Sequence, residues 1–149
     1  MNTKTIKFKK LSNQAIIPTR GTEYAAGYDL YACPHGEDVV FIKPGETKVI
    51  GTGLSMEIPA GTFGGVYPRS GLSTKQGLRC ANCVGVIDAD YRGEIMVGLH
   101  NDSDQERIVS YGDRIAQLIV QPFFTLEFVE ADELSETVRG TGGYGSTGN

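Results

Sequence analysis

The spacing of the apolar residues is the feature that most constrains how this chain can fold. The spacing is mostly two rather than three or four, and Gly, Pro and Asn divide the chain into short segments. Because alternate side chains of a strand share one face, this pattern predicts an all-β sandwich or barrel of about ten strands. The clearest alternations are Ile6/Phe8, Leu54/Met56/Ile58 before Pro59, and 115–120 before Pro122. Further predicted strands are 28–32, 38–42, 47–50, 62–67, 78–86, 94–100, 107–110 and 125–129.

Two segments depart from the strand pattern. Residues 70–76 predict one short helix, with Ser70 as its cap and Gly77 as its stop signal. Residues 139–149 are rich in Gly and cannot bury a core, so we expect a C-terminal arm that is mobile without a ligand. The sequence therefore predicts one β domain over 1–138 and an arm over 139–149.

The overall charge and apolar content exclude several classes of function. The chain has 149 residues, the size of one globular domain, and 40% of them are hydrophobic. Fourteen Lys and Arg against 18 Asp and Glu give a net charge of -4, so we expect no nucleic-acid partner. No apolar run approaches a membrane span, so we expect no membrane association and a cytoplasmic protein, or a nuclear one in a eukaryotic or viral setting.

The three cysteines give little indication of chemistry. Cys80 and Cys83 form a single C-x-x-C without the second pair that a zinc site needs. Idle thiols are the favoured interpretation, with redox or metal chemistry as the alternative.

Residues 85–94 carry the best candidate for acid–base chemistry. Gly93 predicts a tight β-hairpin here, and the alternation places Asp88 and Asp90 on one face. A carboxylate beside a bound polyanion gains proton affinity and can take a proton from an attacking water. The alternative is a solvated acidic turn.

Two other places are suited to phosphate, the predicted helix start and the arm, and two polar strand residues also stand out. Arg69 and Ser70 lie at the predicted helix start, where backbone N–H groups favour anions. Asp29 and Gln117 are polar residues in apolar strands, and an ordinary paired core position explains either one alone. The arm offers free N–H groups, the Arg139 guanidinium and two hydroxyls, although an end without a role is the alternative.

Taken together, five segments resemble the ordered motifs of trimeric dUTP diphosphatases. The resemblance implies a jelly-roll-like β fold and a homotrimer with active sites at subunit interfaces. It also implies Mg²⁺-assisted hydrolysis of dUTP to dUMP and pyrophosphate, which keeps uracil out of DNA and supplies dUMP for thymidylate synthesis. The segments are 25–32, 67–75, 82–94, 112–120 and 139–148.

The resemblance also implies roles for residues around the phosphates. Asp88 matches the general base that deprotonates the water attacking the α-phosphorus. Asp29 matches a carboxylate that reaches Mg²⁺ through its water shell, while the metal mainly binds the triphosphate. The implied phosphate contacts are Arg69, Ser70, Gly71 and Gln117.

Base and sugar selection are implied by the same resemblance. Asn82 and nearby backbone match the edge of uracil, so cytosine would leave buried polar groups mispaired. Tyr91 would pack under the deoxyribose and leave no room for a 2′-hydroxyl. The backbone contacts implied for uracil are at Gly85, Val86, Ile87 and Met96.

The arm would close over a site formed by two other subunits. Arg139 would reach the γ-phosphate, and Tyr144, at a position that is most often Phe in the family, would cover the uracil. The other implied arm contacts are Gly143, Gly145, Ser146 and Thr147. The expected partners are thus dUTP and further copies of this chain. A dCTP deaminase of the same fold and a regulatory binding protein are the alternatives.

Overall fold

The computed structural model describes residues 5–143, which form twelve strands and one helix. In chain order the elements are β1 (Lys7–Lys10), β2 (Thr19–Arg20), β3 (Tyr28–Tyr31), β4 (Val39–Ile42), β5 (Thr47–Gly51), β6 (Leu54–Glu57), β7 (Thr62–Tyr67), α1 (Ser70–Gln76), β8 (Leu78–Cys80), β9 (Gly85–Ile87), β10 (Met96–Asn101), β11 (Arg107–Ser110) and β12 (Arg114–Pro122). The predicted all-β class with one short helix is confirmed.

The strands form four antiparallel sheets. The largest has the order β2-β3-β12-β7-β9, and a second has the order β5-β10-β8. The pairs β1-β6 and β11-β4 complete the architecture. The five-stranded sheet matters most for function, because most predicted site residues outside the arm lie on or beside its strands β3, β7, β9 and β12.

One hydrophobic core joins these sheets. The alternating residues Leu54, Met56 and Ile58 are all buried, as their period of two predicts. The core also includes Ile115, Ala116 and Leu118 from β12. Further members come from every large sheet and include Leu30, Ile42, Ile50, Val66, Ile87, Val97 and Leu99.

The single strand predicted over 78–86 is wrong. The structure has two strands there, because β8 pairs with β10 while β9 pairs with β7 in the other sheet. One straight strand cannot pair in two separate sheets, so residues 81–84 bend between them. The predicted hairpin over 85–94 is also wrong, since β10 pairs with β5 and β8 and the segment joins two sheets.

The strand predicted over 125–129 is absent from the described part of the chain. Residues 123–138 run without regular structure, and their apolar side chains face outwards. Phe124 and Phe128 are 90% and 92% exposed. Because a strand needs a neighbour for its backbone groups, the apolar alternation here has no partner within residues 5–143.

The helix begins and ends where the sequence predicts, but its cap differs. Arg69, with extended backbone angles, is the N-cap, and its side chain makes no capping hydrogen bond. Ser70 is instead the first helical residue. Gly77 ends the helix with a φ of 66°, the left-handed conformation that favours glycine. Within residues 5–143, no helix combines the length and apolarity needed to cross a bilayer.

Candidate active site

A small cavity gathers most of the residues predicted to bind the nucleoside. Its volume is about 190 Å³, which suits part of a nucleotide rather than a whole one. This cavity, named the nucleoside cavity after its predicted ligand, lies where β9 ends and β10 begins. Its walls are Val86, Ile87, Asp88, Tyr91, Glu94, Ile95 and Met96.

The turn after β9 separates the two predicted carboxylates. The backbone N–H of Tyr91 donates to the Asp88 carbonyl at 3.1 Å, and the Arg92 guanidinium donates to the Ala89 carbonyl at 2.7 Å. Asp88 lines the nucleoside cavity, whereas Asp90 lines a groove of about 460 Å³. The predicted common face for Asp88 and Asp90 is therefore wrong, because the turn breaks the strand alternation.

Tyr91 is held across the backbone of Gly93. A Cβ at Gly93 would lie 2.3 Å from the tyrosine hydroxyl, so a side chain there would displace the ring. That hydroxyl donates a 2.9 Å hydrogen bond to the Glu94 carbonyl. The ring is thus fixed at one wall of the cavity.

Asn82 and Gly85 lie at the start of β9, and Gly85 directly precedes the cavity residue Val86. A Cβ on Gly85 would lie 3.3 Å from Asn82 Nδ2, so the amide packs close over the glycine backbone. Neither residue belongs to the cavity wall. These two predicted uracil contacts therefore border the cavity rather than line it.

Asp29 joins two arginines beside the start of α1. It is 8% exposed in β3. Its Oδ1 accepts from Arg69 Nε at 2.9 Å, and its Oδ2 accepts from Arg114 Nη1 at 3.3 Å. Charge-assisted bonds of this kind orient a guanidinium. Asp29 therefore holds Arg69 near the first turn of the helix.

Gln117 lies next to the arginine cluster, which is formed by Asp29, Arg69 and Arg114. It is opposite Asp29 on one side and Tyr67 on the other in the five-stranded sheet. Its Nε2 donates to the Pro68 carbonyl at 3.0 Å. A Cβ on Gly27 would lie 2.4 Å from Gln117 Oε1, so this glycine allows the close packing. Gln117 thus supports the backbone that leads to Arg69.

Ser70 and Gly71 are exposed at the start of α1. A Cβ on Gly71 would meet nothing within 4 Å, so its surface is open. Backbone N–H groups at a helix start lack intrahelical partners and point outwards. Together with Arg69, these residues present donors of the kind that phosphate oxygens accept.

The nucleoside cavity and the arginine cluster lie at different ends of the β7–β9 pair. Gly64 is opposite Ile87, so Asp88 lies level with Phe63. The strand then runs to Tyr67, about 13 Å further at 3.3 Å per residue, and Arg69 lies beyond that. One α-phosphate cannot contact both Asp88 and Ser70 of the same chain across this span.

The start of the predicted arm is described only in part. Arg139 and Gly143 are exposed, and Arg139 Nε donates to the Gly142 carbonyl at 2.8 Å. The division at residue 139 stays a prediction. The predicted contacts at Tyr144, Gly145, Ser146 and Thr147 lie outside the described residues.

The chemistry of the polar groups fits a metal bound mainly through a ligand. Among residues 5–143, no group of three or more His, Cys, Asp and Glu side chains could hold an ion alone. Both oxygens of Asp29 accept from arginines, so contact through a metal-bound water disturbs them less than direct ligation would. Burial, aided by Cys83, raises the pKa of Cys80 to about 11, which disfavours a reactive thiolate there.

Sequence reasoning missed three residues of this region. Glu94 lines the cavity, and Arg114 shares Asp29 with Arg69. His35 contacts Glu94, with 2.7 Å between Nε2 and Oε2. Arg114 and Glu94 belong to motifs already singled out, so their charge was the available signal, whereas no local pattern marks His35.

Comparison with known proteins identifies relatives along nearly the whole chain. Residues 13–148 match the family model described as dUTPase. The deoxyuridine 5′-triphosphate nucleotidohydrolase of Syntrophotalea carbinolica is 47% identical over 148 residues, covering 99% of each chain. The Arabidopsis thaliana protein of the same name is 49% identical over 143 residues, covering 95% of this chain and 82% of its own.

Solved structures give the same result. The Staphylococcus bacteriophage 80alpha dUTPase with dUpNHpp has a TM-score of 0.88 and 31% identity, covering 99% of this chain and all of its own. A mutant dUTPase from phage phi11 of S. aureus, described with a structural Mg(II) ion, has a TM-score of 0.80 and 26% identity. It covers 89% of this chain and 100% of its own.

Proposed function

The chain belongs to the dUTPase family, and from that premise we propose how its residues hydrolyse dUTP to dUMP and pyrophosphate. The observation that carries the proposal is the cavity that gathers Asp88 and Tyr91 with three other predicted nucleoside contacts. The family and the names of the relatives favour hydrolysis over the deamination of dCTP.

Asp88 is the general base of the proposed reaction. Its carboxylate is exposed at the cavity wall, where a water molecule can approach it. The base takes a proton from this water as the oxygen attacks the α-phosphorus. The α-phosphorus–oxygen bond to the β-phosphate then breaks, and pyrophosphate leaves.

Arg69, Ser70 and Gly71 hold the phosphates in this proposal. Asp29 orients the Arg69 guanidinium, and the open surface at Gly71 leaves room for phosphate oxygens. Gln117 supports the Pro68 carbonyl immediately before Arg69. Such fixed donors stabilise the charge that develops on the phosphates.

Sugar and base selection rest on the cavity and on the Asn82 segment. Tyr91 is fixed across Gly93, so its ring can occupy the space that a 2′-hydroxyl would need. Asn82 and the backbone of β9 supply donors and acceptors for the uracil edge. A cytosine would leave some of these groups mispaired, which disfavours its binding strongly.

Mg²⁺ is the cofactor that fits this arrangement. Asp29 would face it through water, while the triphosphate supplies the inner oxygen ligands. The ion neutralises phosphate charge when it is bound. The Mg(II) ion described for the phage phi11 protein supports this choice of metal.

The complete site is proposed to form between copies of this chain. Asp88 and Arg69 are too far apart within one chain to serve the same α-phosphate, which supports a site shared between neighbours. The exposed Phe124, Phe128 and Val138 offer apolar surface that a second copy can cover. We propose a homotrimer in which Arg139 and Tyr144 of a further copy close each site.

Substrate hydrolysis is tested by measuring pyrophosphate release with Mg²⁺ and, separately, dUTP, dCTP, dTTP and UTP. Release from dUTP alone is expected. Ammonia from dCTP would instead support the deaminase alternative. A folded oligomer that releases no pyrophosphate from any of the four contradicts the proposed function.

A regulatory partner and a cytoplasmic location stay predictions. The 80alpha protein is described as controlling transfer of virulence genes, which concerns that phage protein. A pull-down from the host with and without dUTP tests the regulatory role for this chain. A profile without a specific partner in both conditions contradicts that role.

A further inference from the structure

Glu94 links the nucleoside cavity to two elements outside it. Its Oε1 accepts a 2.7 Å hydrogen bond from the backbone N–H of Gly53, and its Oε2 lies 2.7 Å from His35 Nε2. The carboxylate is only 15% exposed, so its contacts act in a partly dry environment. A Cβ on Gly51 would lie 2.6 Å from Glu94 Oε1, so this glycine makes room for the carboxylate.

The backbone of the same residue holds Tyr91. The tyrosine hydroxyl donates to the Glu94 carbonyl at 2.9 Å, and the ring crosses Gly93 immediately before it. Any movement of the Glu94 peptide therefore moves the acceptor that fixes the ring. The carboxylate contacts and the ring position are coupled through one residue.

We propose that Glu94, held by His35 and Gly53, is a positioning residue that fixes Tyr91 and thereby sets the preference for deoxyribose over ribose. This inference rests on the proposed function, because it needs Tyr91 to lie against the sugar. The Glu94–Ile95 peptide stays held by the Leu54 carbonyl, but loss of the Glu94 carboxylate frees the Gly93–Glu94 peptide that the Tyr91 ring crosses. The ring then yields space to a 2′-hydroxyl.

Backbone hydrogen bonds of the neighbouring residue also hold this part of the fold. Ile95, the next residue, donates its N–H to the Leu54 carbonyl at 2.8 Å and accepts from the Thr52 hydroxyl at 2.7 Å. These bonds join the β5–β6 turn to the start of β10. Glu94 variants are therefore expected to fold, so a change in sugar selection can be measured separately from stability.

The test compares kcat/KM for dUTP and UTP in the full-length oligomer. Glu94→Ala is expected to lower the dUTP/UTP ratio about five- to tenfold, the effect of losing about one hydrogen bond. Glu94→Gln keeps an oxygen acceptor for Gly53 and is expected to restore most of the ratio. Glu106→Ala, at an exposed loop position, is the matched control and keeps the wild-type ratio.

A second comparison establishes whether Glu94 acts through Tyr91. Tyr91→Phe removes only the hydroxyl and is expected to lower the same ratio, and adding Glu94→Ala to it should lower it little further. Calorimetry with dUMP and UMP provides a readout that does not depend on turnover. Independent, multiplying effects of the two substitutions overturn the proposal.

The outcomes separate this inference from the proposed function. If the wild type hydrolyses neither dUTP nor UTP, both the proposed function and the inference are contradicted. If it hydrolyses the two equally well, dUTP hydrolysis stands while the proposed sugar selection and the inference are contradicted. If the wild type does prefer dUTP but Glu94→Ala keeps the full ratio, only the inference is overturned. Should Glu94→Ala fail to fold, His35→Ala decides instead, because His35 is 60% exposed. A drop of about two- to threefold supports the inference, and an unchanged ratio overturns it.

Discussion

Asp88 and Asp90 have the same side chain and lie in one turn, yet they face different surroundings. Asp88 lines the nucleoside cavity, whereas Asp90 lines the groove that also contains Lys7 and Glu57. Chemical type alone therefore does not identify the base. The direction that the turn gives to each side chain is what favours Asp88 as the proposed base.

Replacing Asp88 tests its role with a control two residues away. Asp88→Asn keeps the size of the side chain but removes the proton acceptor, so kcat should fall about 10²- to 10⁴-fold. Calorimetric affinity for dUMP should change little. Asp90→Asn should keep the wild-type kcat, and equal losses in the two variants would contradict the assignment.

Asp29→Asn tests whether the Asp29 carboxylate positions the Arg69 guanidinium. The amide keeps one acceptor but turns its NH₂ group towards a guanidinium, so the pairing with Arg69 or Arg114 is lost. We expect a loss of roughly 1.5–3 kcal/mol in the free energy of unfolding and a higher KM for dUTP. Urea unfolding and steady-state kinetics measure the two effects. Asp104→Asn, in an exposed loop, is the control, and an unchanged KM in Asp29→Asn would contradict the positioning of Arg69.

At the scale of elements, the end of α1 depends on a glycine in close contact with a neighbouring loop. Gly77 has a φ of 66°, and a Cβ there would lie 3.1 Å from both the backbone nitrogen and the Cβ of Ser103. Gly61 has a φ of 72°, but a Cβ on it would meet nothing within 4 Å. Comparing alanine substitutions at Gly61 and Gly77 therefore distinguishes the cost of backbone strain from the cost of steric contact.

Gly61→Ala should therefore cost about 1–2 kcal/mol of stability, which is the strain of a left-handed residue alone. Gly77→Ala should cost more, because the Ser103 backbone must also move. Chemical unfolding of both variants measures the difference. Equal losses would mean that the loop yields to the added methyl group without cost.

The strands β8 and β10 are also joined by charge near their ends. The Arg79 guanidinium donates to Asp102 and lowers the pKa of that carboxyl below its usual 3.8, with His100 adding to the effect. A lowered folded-state pKa gives stability that is present above the unfolded pKa and is lost as the pH falls through the folded value.

Asp102→Asn should accordingly lower the melting temperature at neutral pH and make it less sensitive to acid below about pH 4. Melting temperatures between pH 7 and pH 3 measure this dependence. The control is Asp104→Asn, which should follow the wild-type curve. A wild-type slope in Asp102→Asn would assign the acid sensitivity to other carboxylates.

The sequence predicts elements best where a period of two meets one buried face. Residues 54–58 come close to this condition, since the alternation predicts the burial of Leu54, Met56 and Ile58 correctly, although Ser55 between them is buried as well. Residues 78–86 do not, because periodicity cannot indicate that two halves of one apolar run pair in different sheets. The run at 125–129 fails for another reason, since its pattern carries no information about whether a neighbouring strand exists.

In the candidate site, too, local sequence indicates some features and not others. The motifs single out residues for phosphate and nucleoside, and the cavity brings five of those predicted residues together. Long-range partners escape this reasoning, because His35 and Glu94 are 59 residues apart and neither pattern predicts the other. Side-chain pairing across sheets follows from packing rather than from local sequence.

For the whole molecule, mixing two inactive variants tests whether sites are shared between chains. Asp88→Asn and Arg69→Ala should each be inactive alone. If a site takes Asp88 from one chain and Arg69 from its neighbour, random association restores about one site in four. Unfolding and refolding the variants together, followed by measurement of pyrophosphate release, provides the test. Activity that never rises above that of the separate variants would contradict a shared site.

If sites are shared between chains as proposed, the separation of Asp88 and Arg69 along β7 and β9 also has a genetic consequence. In a cell with one normal and one defective allele, a chain that lacks only Asp88 disables one site per copy, so about half of the activity remains. A chain that lacks both residues also disables the site it shares with a healthy neighbour, which leaves about a quarter. The dominance of an allele would thus depend on whether it removes one of these two residues or both.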